Sequence, residues 1–234
     1  SYWKLINDLF RDVDGRVIIG GRGRRNEANA DRFALLVLET MRTYGRAILP
    51  QTTLRFYEGM NPQLMEKSIT LIGDGHTFPL LYNDDVLVPG VATAHDVPME
   101  DAEQYMPLGC GEIVIDHMGY GTPSGSLNVL KALDVTLRNG VDHITGKQLG
   151  LQTGHLKDFK TYEDFFEAFK KQLAFFIEIL AEHEELEYVE SGKQAPYLYL
   201  SMLYDDCIAR GKAIFVGGIR YLGGSLESFG SVNT

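Results

Sequence analysis

Residues 108–112, Leu-Gly-Cys-Gly-Glu, lead directly into a short strand-like run, Ile-Val-Ile, at 113–115. On an extended segment residues i and i+2 point to the same side, so Cys110 and Glu112 can face one pocket. The flanking glycines carry no Cβ and allow a sharp turn and the close approach of a small molecule. The stretch therefore predicts a loop tip that presents one thiol and one carboxylate. The structural alternative is that Cys110 is a small buried apolar residue, as most free cysteines are.

The charges near Cys110 in the sequence indicate which chemistry its thiol suits. A nucleophilic thiolate needs Lys, Arg, protonated His or a helix N-terminus beside it. The chain instead places carboxylates near this cysteine, namely Glu100, Asp101, Glu103, Glu112 and Asp116. Acidic neighbours disfavour the thiolate, so we expect the S–H form to persist at neutral pH. A protonated thiol suits hydrogen-atom transfer better than nucleophilic attack.

Outward from this loop, apolar periodicity and turn residues predict helices that alternate with short strands. The predicted strands cover residues 17–19, 53–57, 78–82 and 113–115. The predicted helices cover residues 3–10, 27–44, 62 to either 73 or 75, 98–107, 127–137, 162–188 and 196–210. Residues 83–85, Asn-Asp-Asp, are predicted to turn the chain, and the glycine-rich residues 217–224 to form a loop-rich tail. This alternation is typical of an α/β architecture, including barrels.

Composition narrows the class of function. The chain has 234 residues, 44% of them hydrophobic, and a formal net charge of −10. The apolar content is enough for a sizeable core, whereas the negative charge disfavours nucleic-acid binding and leaves a small-molecule substrate. No apolar run approaches the roughly 18 residues of a membrane span, so we expect no membrane partner. Two cysteines, Cys110 and Cys207, do not form a disulfide framework, which favours the cytoplasm.

Two other kinds of site, one for a dinucleotide and one for a metal, are disfavoured by the sequence. Residues 21–26, Gly-Arg-Gly-Arg-Arg-Asn, follow a predicted strand and precede a helix, as a dinucleotide-binding turn does. The last position is Asn rather than Gly or Ala, and the arginines would crowd a pyrophosphate, so a structural turn is favoured. The six histidines form no HExxH pattern, and the chain has no CxxC. We therefore predict no metal and no cofactor bound by this chain.

The motif Gly-Cys-x-Glu at 109–112 resembles that of the glycyl radical enzymes, a pyruvate formate-lyase-like family, in their dehydratase, decarboxylase and lyase branch. Several other segments are similar to the same family in the same order along the chain. These segments are residues 17–22, 50–55, 78–85, 206–211 and 217–221. The resemblance thus covers nearly the whole chain.

The resemblance implies a fold. Family members form a ten-stranded β/α barrel from two antiparallel half-barrels of five parallel strands, with the cysteine on a finger loop inside. We expect residues 1–234 to be a single partial domain, the central portion of such a barrel. The family's Arg-Val-x-Gly-Tyr-type glycine loop is absent from this sequence. The N-terminal part and the C-terminal glycine-radical domain are therefore expected to be missing, and this chain alone to be inactive.

The resemblance also implies a chemistry for Cys110 and Glu112. The glycyl radical, expected elsewhere in the full protein and installed by a radical SAM activating enzyme, takes a hydrogen atom from Cys110. The resulting thiyl radical takes one from the substrate, and Glu112 acts as general base for elimination from a small hydroxylated molecule. Asp116 and His117 are weaker substrate-binding candidates. Asn83 and Asp84 are weaker still, since a turn-forming role is favoured for both.

Three alternatives stay open beside this interpretation. A formate acetyltransferase-like, carbon–carbon cleaving enzyme of the family would use two adjacent cysteines, which Gly111 disfavours. A catalytically inactive structural or interaction module of the same fold would not need Cys110. A nucleotide-binding enzyme would use the turn at 21–26. The substrate, the leaving group and a homodimeric state are not determined by the sequence.

Overall fold

The structure, a computed structural model, describes residues 15–45, 50–108, 111–121 and 123–230. The chain divides into two compact units, Ser1–Asp116 and His117–Thr234. The helix predicted at 3–10 lies outside the described residues, and so does Cys110. The prediction of a single partial domain over the chain stays a prediction.

A three-stranded parallel sheet organises the first unit. Its strands are β1 (Arg16–Gly20), β2 (Gln51–Phe56) and β3 (Leu80–Asn83), in the order β1-β2-β3. The helices of the unit are α1 (Glu27–Tyr44), α2 (Pro62–Gly73), α3 (Asp84–His95) and α4 (Met99–Ala102). The predicted caps hold, because Asn26 accepts a hydrogen bond from the Asn29 amide and Pro62 stands in the first turn of α2. The strand–helix alternation predicted from periodicity is confirmed here.

The two faces of this sheet serve different purposes. Ile19 and Leu54, which are register partners, are buried on the face that packs against α1 and α2. Strand alternation sends the side chains of Thr53, Arg55 and Tyr82 to the opposite face, and Arg55 and Tyr82 are direct register partners. The polar groups of the candidate site therefore come from the face turned away from the helices.

An antiparallel hairpin, β4 (Tyr105–Leu108) and β5 (Glu112–Ile115), completes the first unit. The helix predicted over 98–107 is wrong beyond α4, because the following residues form β4. The turn predicted at 83–85 is also wrong. Asn83 ends β3 and caps α3, its side chain accepting from the Asp85 amide, so the polar run begins a helix instead of reversing the chain.

The second unit contains two pairs of parallel strands and one long helix. The strands are β6 (Gly119–Tyr120), β7 (Pro123–Asn128), β8 (Tyr221–Leu222) and β9 (Ser225–Phe229), paired β6-β8 and β7-β9. The helices are α5 (Val129–Leu137), α6 (Tyr162–Gln194), α7 (Leu198–Ser201) and α8 (Asp205–Arg210). Helix α6 begins at Thr161, which forms a reciprocal capping box with Asp164.

Two expectations for the second unit are corrected. The single helix predicted over 196–210 is interrupted, because Ser201 turns its hydroxyl to accept from the Ile214 amide at 3.1 Å and the chain bends there. The tail predicted as loop at 217–224 contains β8, and β9 follows it; both strands pair with distant strands that the local sequence does not reveal.

The mixed α/β class is confirmed. The strands of the described residues form one three-stranded sheet and three two-stranded ones, and none of these closes into a barrel. The ten-stranded barrel therefore stays a prediction from resemblance. No helix in the described ranges combines the length and the apolarity that a membrane span needs.

Candidate active site

The strands of the β4–β5 hairpin flank the predicted catalytic motif, and backbone contacts join them there. The Gly111 amide donates to the Leu108 carbonyl at 2.9 Å, and Leu108 pairs with Glu112 across the strands. Gly111 has φ +128°, a backbone conformation that favours glycine. A Cβ built on Gly111 would lie 3.4 Å from the hydroxyl oxygen of Tyr82. Gly111 thus lies next to the Tyr82 hydroxyl at the end of β3.

Glu112 is half-buried at the first position of β5. Its Oε2 accepts a hydrogen bond from the Gly111 amide at 3.2 Å, so the carboxylate bends back over the turn. The extended segment predicted for residues 110–112 includes Cys110, so that prediction is not tested by the described residues. Gly111 is covalently bonded to Cys110, but Cys110 itself lies outside the described residues. The sharing of one pocket by Cys110 and Glu112 stays a prediction.

A buried ion pair stands at the carboxyl ends of β2 and β3. Arg55 and Asp84 are 6% and 0% exposed. Arg55 Nε donates to Asp84 Oδ1 at 2.9 Å and Nη2 donates to Oδ2 at 2.8 Å, which makes the contact bidentate. Two charges this deeply buried require close pairing, since either one alone would carry a large desolvation cost. Asp84, a weak substrate-site candidate from sequence, has a structural partner instead.

Tyr105 connects this ion pair to the hairpin. Its hydroxyl donates to Asp84 Oδ1 at 2.7 Å, and the Arg55 guanidinium carbon lies 3.9 Å from the centre of its ring. Arg55 also donates to the backbone carbonyls of Tyr105 and Glu103, both at 2.9 Å. Burial, followed by the hydrogen bond to the Asp84 carboxylate, raises the pKa of the Tyr105 hydroxyl. The strand that leads into the Gly-Cys-Gly-Glu turn is thereby fixed to the sheet.

The glycines at the end of β1 make room for the ion pair. A Cβ on Gly20 would lie 2.1 Å from the Arg55 carbonyl oxygen, and a Cβ on Gly21 would lie 3.1 Å from the Arg55 guanidinium carbon. The Arg22 amide donates to Asp84 Oδ2 at 2.9 Å, and the Arg22 guanidinium pairs with Asp85. The Asp84 carboxylate thus already accepts from a backbone amide of the 21–26 turn. In a dinucleotide-binding turn, a phosphate group would accept there. The geometry fits the structural turn.

The weaker candidates occupy other places. Asp116 follows β5, and its amide donates to the Gln104 carbonyl at 3.0 Å. It stands four residues beyond Glu112 along a strand, a separation of about 13 Å. His117 is exposed and has φ +58°. The structure does not bring Asp116 to the loop tip, and substrate contacts by Asp116 and His117 stay predictions.

Among the described residues, a cluster of three possible metal ligands lies in the second unit. The nearest ligand atoms of Asp134, Asp142 and His143 all lie within 4.8 Å of one another. Lys131 Nζ contacts Asp134 at 3.3 Å and Asp142 at 2.5 Å, and Arg138 Nε contacts Asp134 at 3.1 Å, so two cations pair with the two carboxylates. This arrangement is a hydrogen-bonded ion cluster that supports α5.

Cys207 belongs to the apolar core of the second unit. It is 3% exposed, packs with Ile214 and Ile219, and forms no disulfide. Burial, with a smaller contribution from Asp206, raises the pKa of its thiol. Its position agrees with a structural cysteine.

Comparison with known proteins identifies the family. A family model described as pyruvate formate lyase-like matches residues 4–234. The chain belongs to this family. Trans-4-hydroxy-L-proline dehydratase of Clostridioides difficile is 30% identical over 202 residues, which are 86% of this chain and 25% of that protein. (2S)-3-sulfopropanediol dehydratase of Klebsiella oxytoca is 26% identical over 208 residues, 88% of this chain and 25% of that protein.

Solved structures support this assignment to the pyruvate formate lyase-like family. Hydroxyproline dehydratase from Clostridioides difficile, solved with trans-4-hydroxy-L-proline bound, matches with a TM-score of 0.80 and 28% identity. The match covers 91% of this chain and 27% of that one. The chain therefore spans about a quarter of the length of these relatives.

Sequence reasoning missed Arg55 and Tyr105 as site residues. Arg55 did carry a signal, because it is a lone cation at the end of an otherwise uncharged strand segment, 50–55, that resembles the family. A strand residue bearing a charge is almost never fully buried unless it is paired. Its partner Asp84 is 29 positions away, so the pair itself was not visible in the local pattern.

Proposed function

We propose that the protein carrying this chain is a glycyl radical dehydratase or lyase acting on a small hydroxylated molecule. In this proposal Cys110 transfers hydrogen atoms and Glu112 is the general base. The observation that carries it is the Glu112 carboxylate, folded over the glycine turn whose residue Gly111 is bonded to Cys110. Family membership and the dehydratase names of the relatives support the reaction class.

The proposed steps balance hydrogen atoms and charge. The Cys110 thiyl radical takes a hydrogen atom from a substrate C–H bond, which regenerates S–H and leaves a carbon radical. Glu112 accepts a proton from the hydroxyl or amino group on that carbon, and the bond from the neighbouring carbon to the leaving group breaks. The leaving group departs with the electron pair, and the product radical recovers a hydrogen atom from Cys110. The glycyl radical expected elsewhere in the protein supplies the unpaired electron.

The rest of the first unit supports the loop in this proposal. The Arg55–Asp84–Tyr105 network holds β4 against the carboxyl ends of the sheet strands. Placing the reacting groups on a fixed hairpin lowers the cost of orienting them in the transition state. The network makes no proton transfer of its own in this mechanism.

The test uses the complete gene product, activated by a radical SAM enzyme and assayed with trans-4-hydroxy-L-proline, (2S)-3-sulfopropanediol and glycerol. We expect Cys110→Ser to abolish turnover, because a serine O–H bond is too strong for the transfer. Glu112→Gln should lower kcat by roughly 100-fold or more while the glycyl radical signal in electron paramagnetic resonance persists. Cys207→Ser is the matched control and should retain activity.

Two outcomes would contradict the proposed function. One is wild-type turnover by Cys110→Ser. The other is a complete reading frame that carries no Arg-Val-x-Gly-Tyr-type glycine loop, since the radical would then have no site in the protein.

A further inference from the structure

Tyr82 brings a second hydroxyl-bearing side chain to the Gly-Cys-Gly-Glu turn. It lies on β3 next to Arg55 in register, on the sheet face turned away from the helices. Its side chain is half-buried, and its hydroxyl oxygen would lie 3.4 Å from a Cβ on Gly111. Gly111 in turn hydrogen-bonds Glu112 Oε2. The phenol therefore reaches the residue between Cys110 and Glu112.

The bonding state of this hydroxyl differs from that of its polar neighbours. Arg55 and the Tyr105 hydroxyl are both engaged with Asp84. Within the described residues no hydrogen bond is made by the Tyr82 hydroxyl. A tyrosine hydroxyl offers one donor and an acceptor, and a half-buried one in an enzyme site usually finds a partner. The Tyr82 hydroxyl is a hydrogen-bond donor close to the proposed base Glu112. A suitable partner for it is an oxygen atom of a bound molecule.

We propose that Tyr82 is a substrate-binding residue, donating a hydrogen bond from its hydroxyl to an oxygen atom of a hydroxylated substrate held at the turn. This inference rests on the proposed function. Tyr82 orients the substrate relative to Glu112, because its hydroxyl lies beside Gly111, whose amide donates to the Glu112 carboxylate.

The experiment measures binding and turnover by Tyr82→Phe in the complete protein, which keeps the ring and removes only the hydroxyl. Tyr57→Phe is the matched control, because Tyr57 is also half-buried in the first unit but its hydroxyl contacts Glu27 at 3.3 Å. The probes are trans-4-hydroxy-L-proline, (2S)-3-sulfopropanediol and glycerol, titrated calorimetrically into the protein before activation and then assayed for turnover after it. We expect Tyr82→Phe to weaken binding and raise KM roughly tenfold, with an unchanged glycyl radical yield.

Each outcome decides the inference. Equal affinity and KM for Tyr82→Phe and wild type would overturn it while leaving the proposed function intact. An equal loss in Tyr57→Phe would also overturn it, since the effect would then be a general one of tyrosine packing. If no probe binds to or is turned over by the wild-type protein, the proposed substrate class fails and this inference fails with it.

Discussion

Asp84 is the residue on which most contacts of the candidate site converge. Its two oxygens accept from Arg55, from the Tyr105 hydroxyl and from the Arg22 amide, and its side chain is fully buried. A buried pair is weak support for stability as such, because desolvation offsets much of the attraction. Breaking it is a different matter, since one buried charge would be left without compensation. The network therefore makes the hairpin position depend on a single carboxylate.

We predict that Asp84→Asn destabilises the protein by about 3–5 kcal/mol, because it leaves the Arg55 guanidinium buried without a counter-charge. Chemical denaturation followed by circular dichroism measures this loss. Asp85→Asn is the control, since Asp85 also pairs with an arginine but its side chain is 35% exposed. Its effect should be much smaller. Equal effects of the two substitutions would mean that burial of the Arg55–Asp84 pair is not what makes it important.

At the scale of elements, the β4–β5 hairpin is the part of the fold that presents the chemistry. Tyr105 at the start of β4 is fixed by Arg55 and Asp84, and the strands pair from Tyr105↔Ile115 to Leu108↔Glu112. The turn conformation then depends on Gly111 and its positive φ. The two strands that flank residues 109–110 are therefore held in place from the sheet side.

Gly111→Ala should strain the backbone by about 1–2 kcal/mol at its φ of +128°, and should lower turnover roughly tenfold or more because relief of that strain would shift Glu112. Gly59→Ala is matched for backbone strain, since Gly59 has φ +89° and no atom within 4 Å of an added Cβ. It should cost similar stability in denaturation but leave kcat and KM unchanged. Loss of activity in both variants would show that global destabilisation, and not the hairpin tip, is responsible.

The molecule as a whole is acidic, and several of its carboxylates are held charged by basic partners. In the second unit, burial opposes ionisation of Asp134, but hydrogen bonds from His143, Arg138 and Lys131 outweigh it and lower its pKa to about 2. The hydrogen bond from Lys131 likewise lowers the pKa of Asp142. Folding therefore favours the deprotonated form of these groups. Their contribution to stability is complete above the unfolded value near 4 and is lost as the pH falls toward 2.

We predict that the thermal midpoint falls between pH 4 and pH 2, and that Asp134→Asn lowers it at pH 6 and far less at pH 2. The reason is that protonation removes from the wild type the same charge that the substitution removes. Differential scanning calorimetry across this range measures both curves. Glu182→Gln, an exposed position on α6, should track the wild type throughout. A constant gap between wild type and Asp134→Asn down to pH 2 would refute the assignment.

Most elements of the first unit could be predicted from sequence because their signals are local. Asn26 and Pro62 mark helix starts, and the apolar run at 17–19 marks a strand. The choice of buried face was harder to predict. Val37 and Met41 of α1 are buried, whereas Phe33, which has the same helical spacing, is 57% exposed. Burial depends on what packs against a helix, and apolar periodicity does not contain that information.

By itself, the sequence determined the α/β class, the family and the motif that carries Cys110 and Glu112, because each depends on residues that are close together in the chain. Only the tertiary structure joined Arg55 to Asp84 and Tyr105, placed Tyr82 beside Gly111, and paired β7 with β9. These contacts bridge separations of 21 to 50 residues in the ion-pair network alone. Burial makes the free energy of each charged group depend on its partner. A local sequence pattern cannot show which distant residue that partner is.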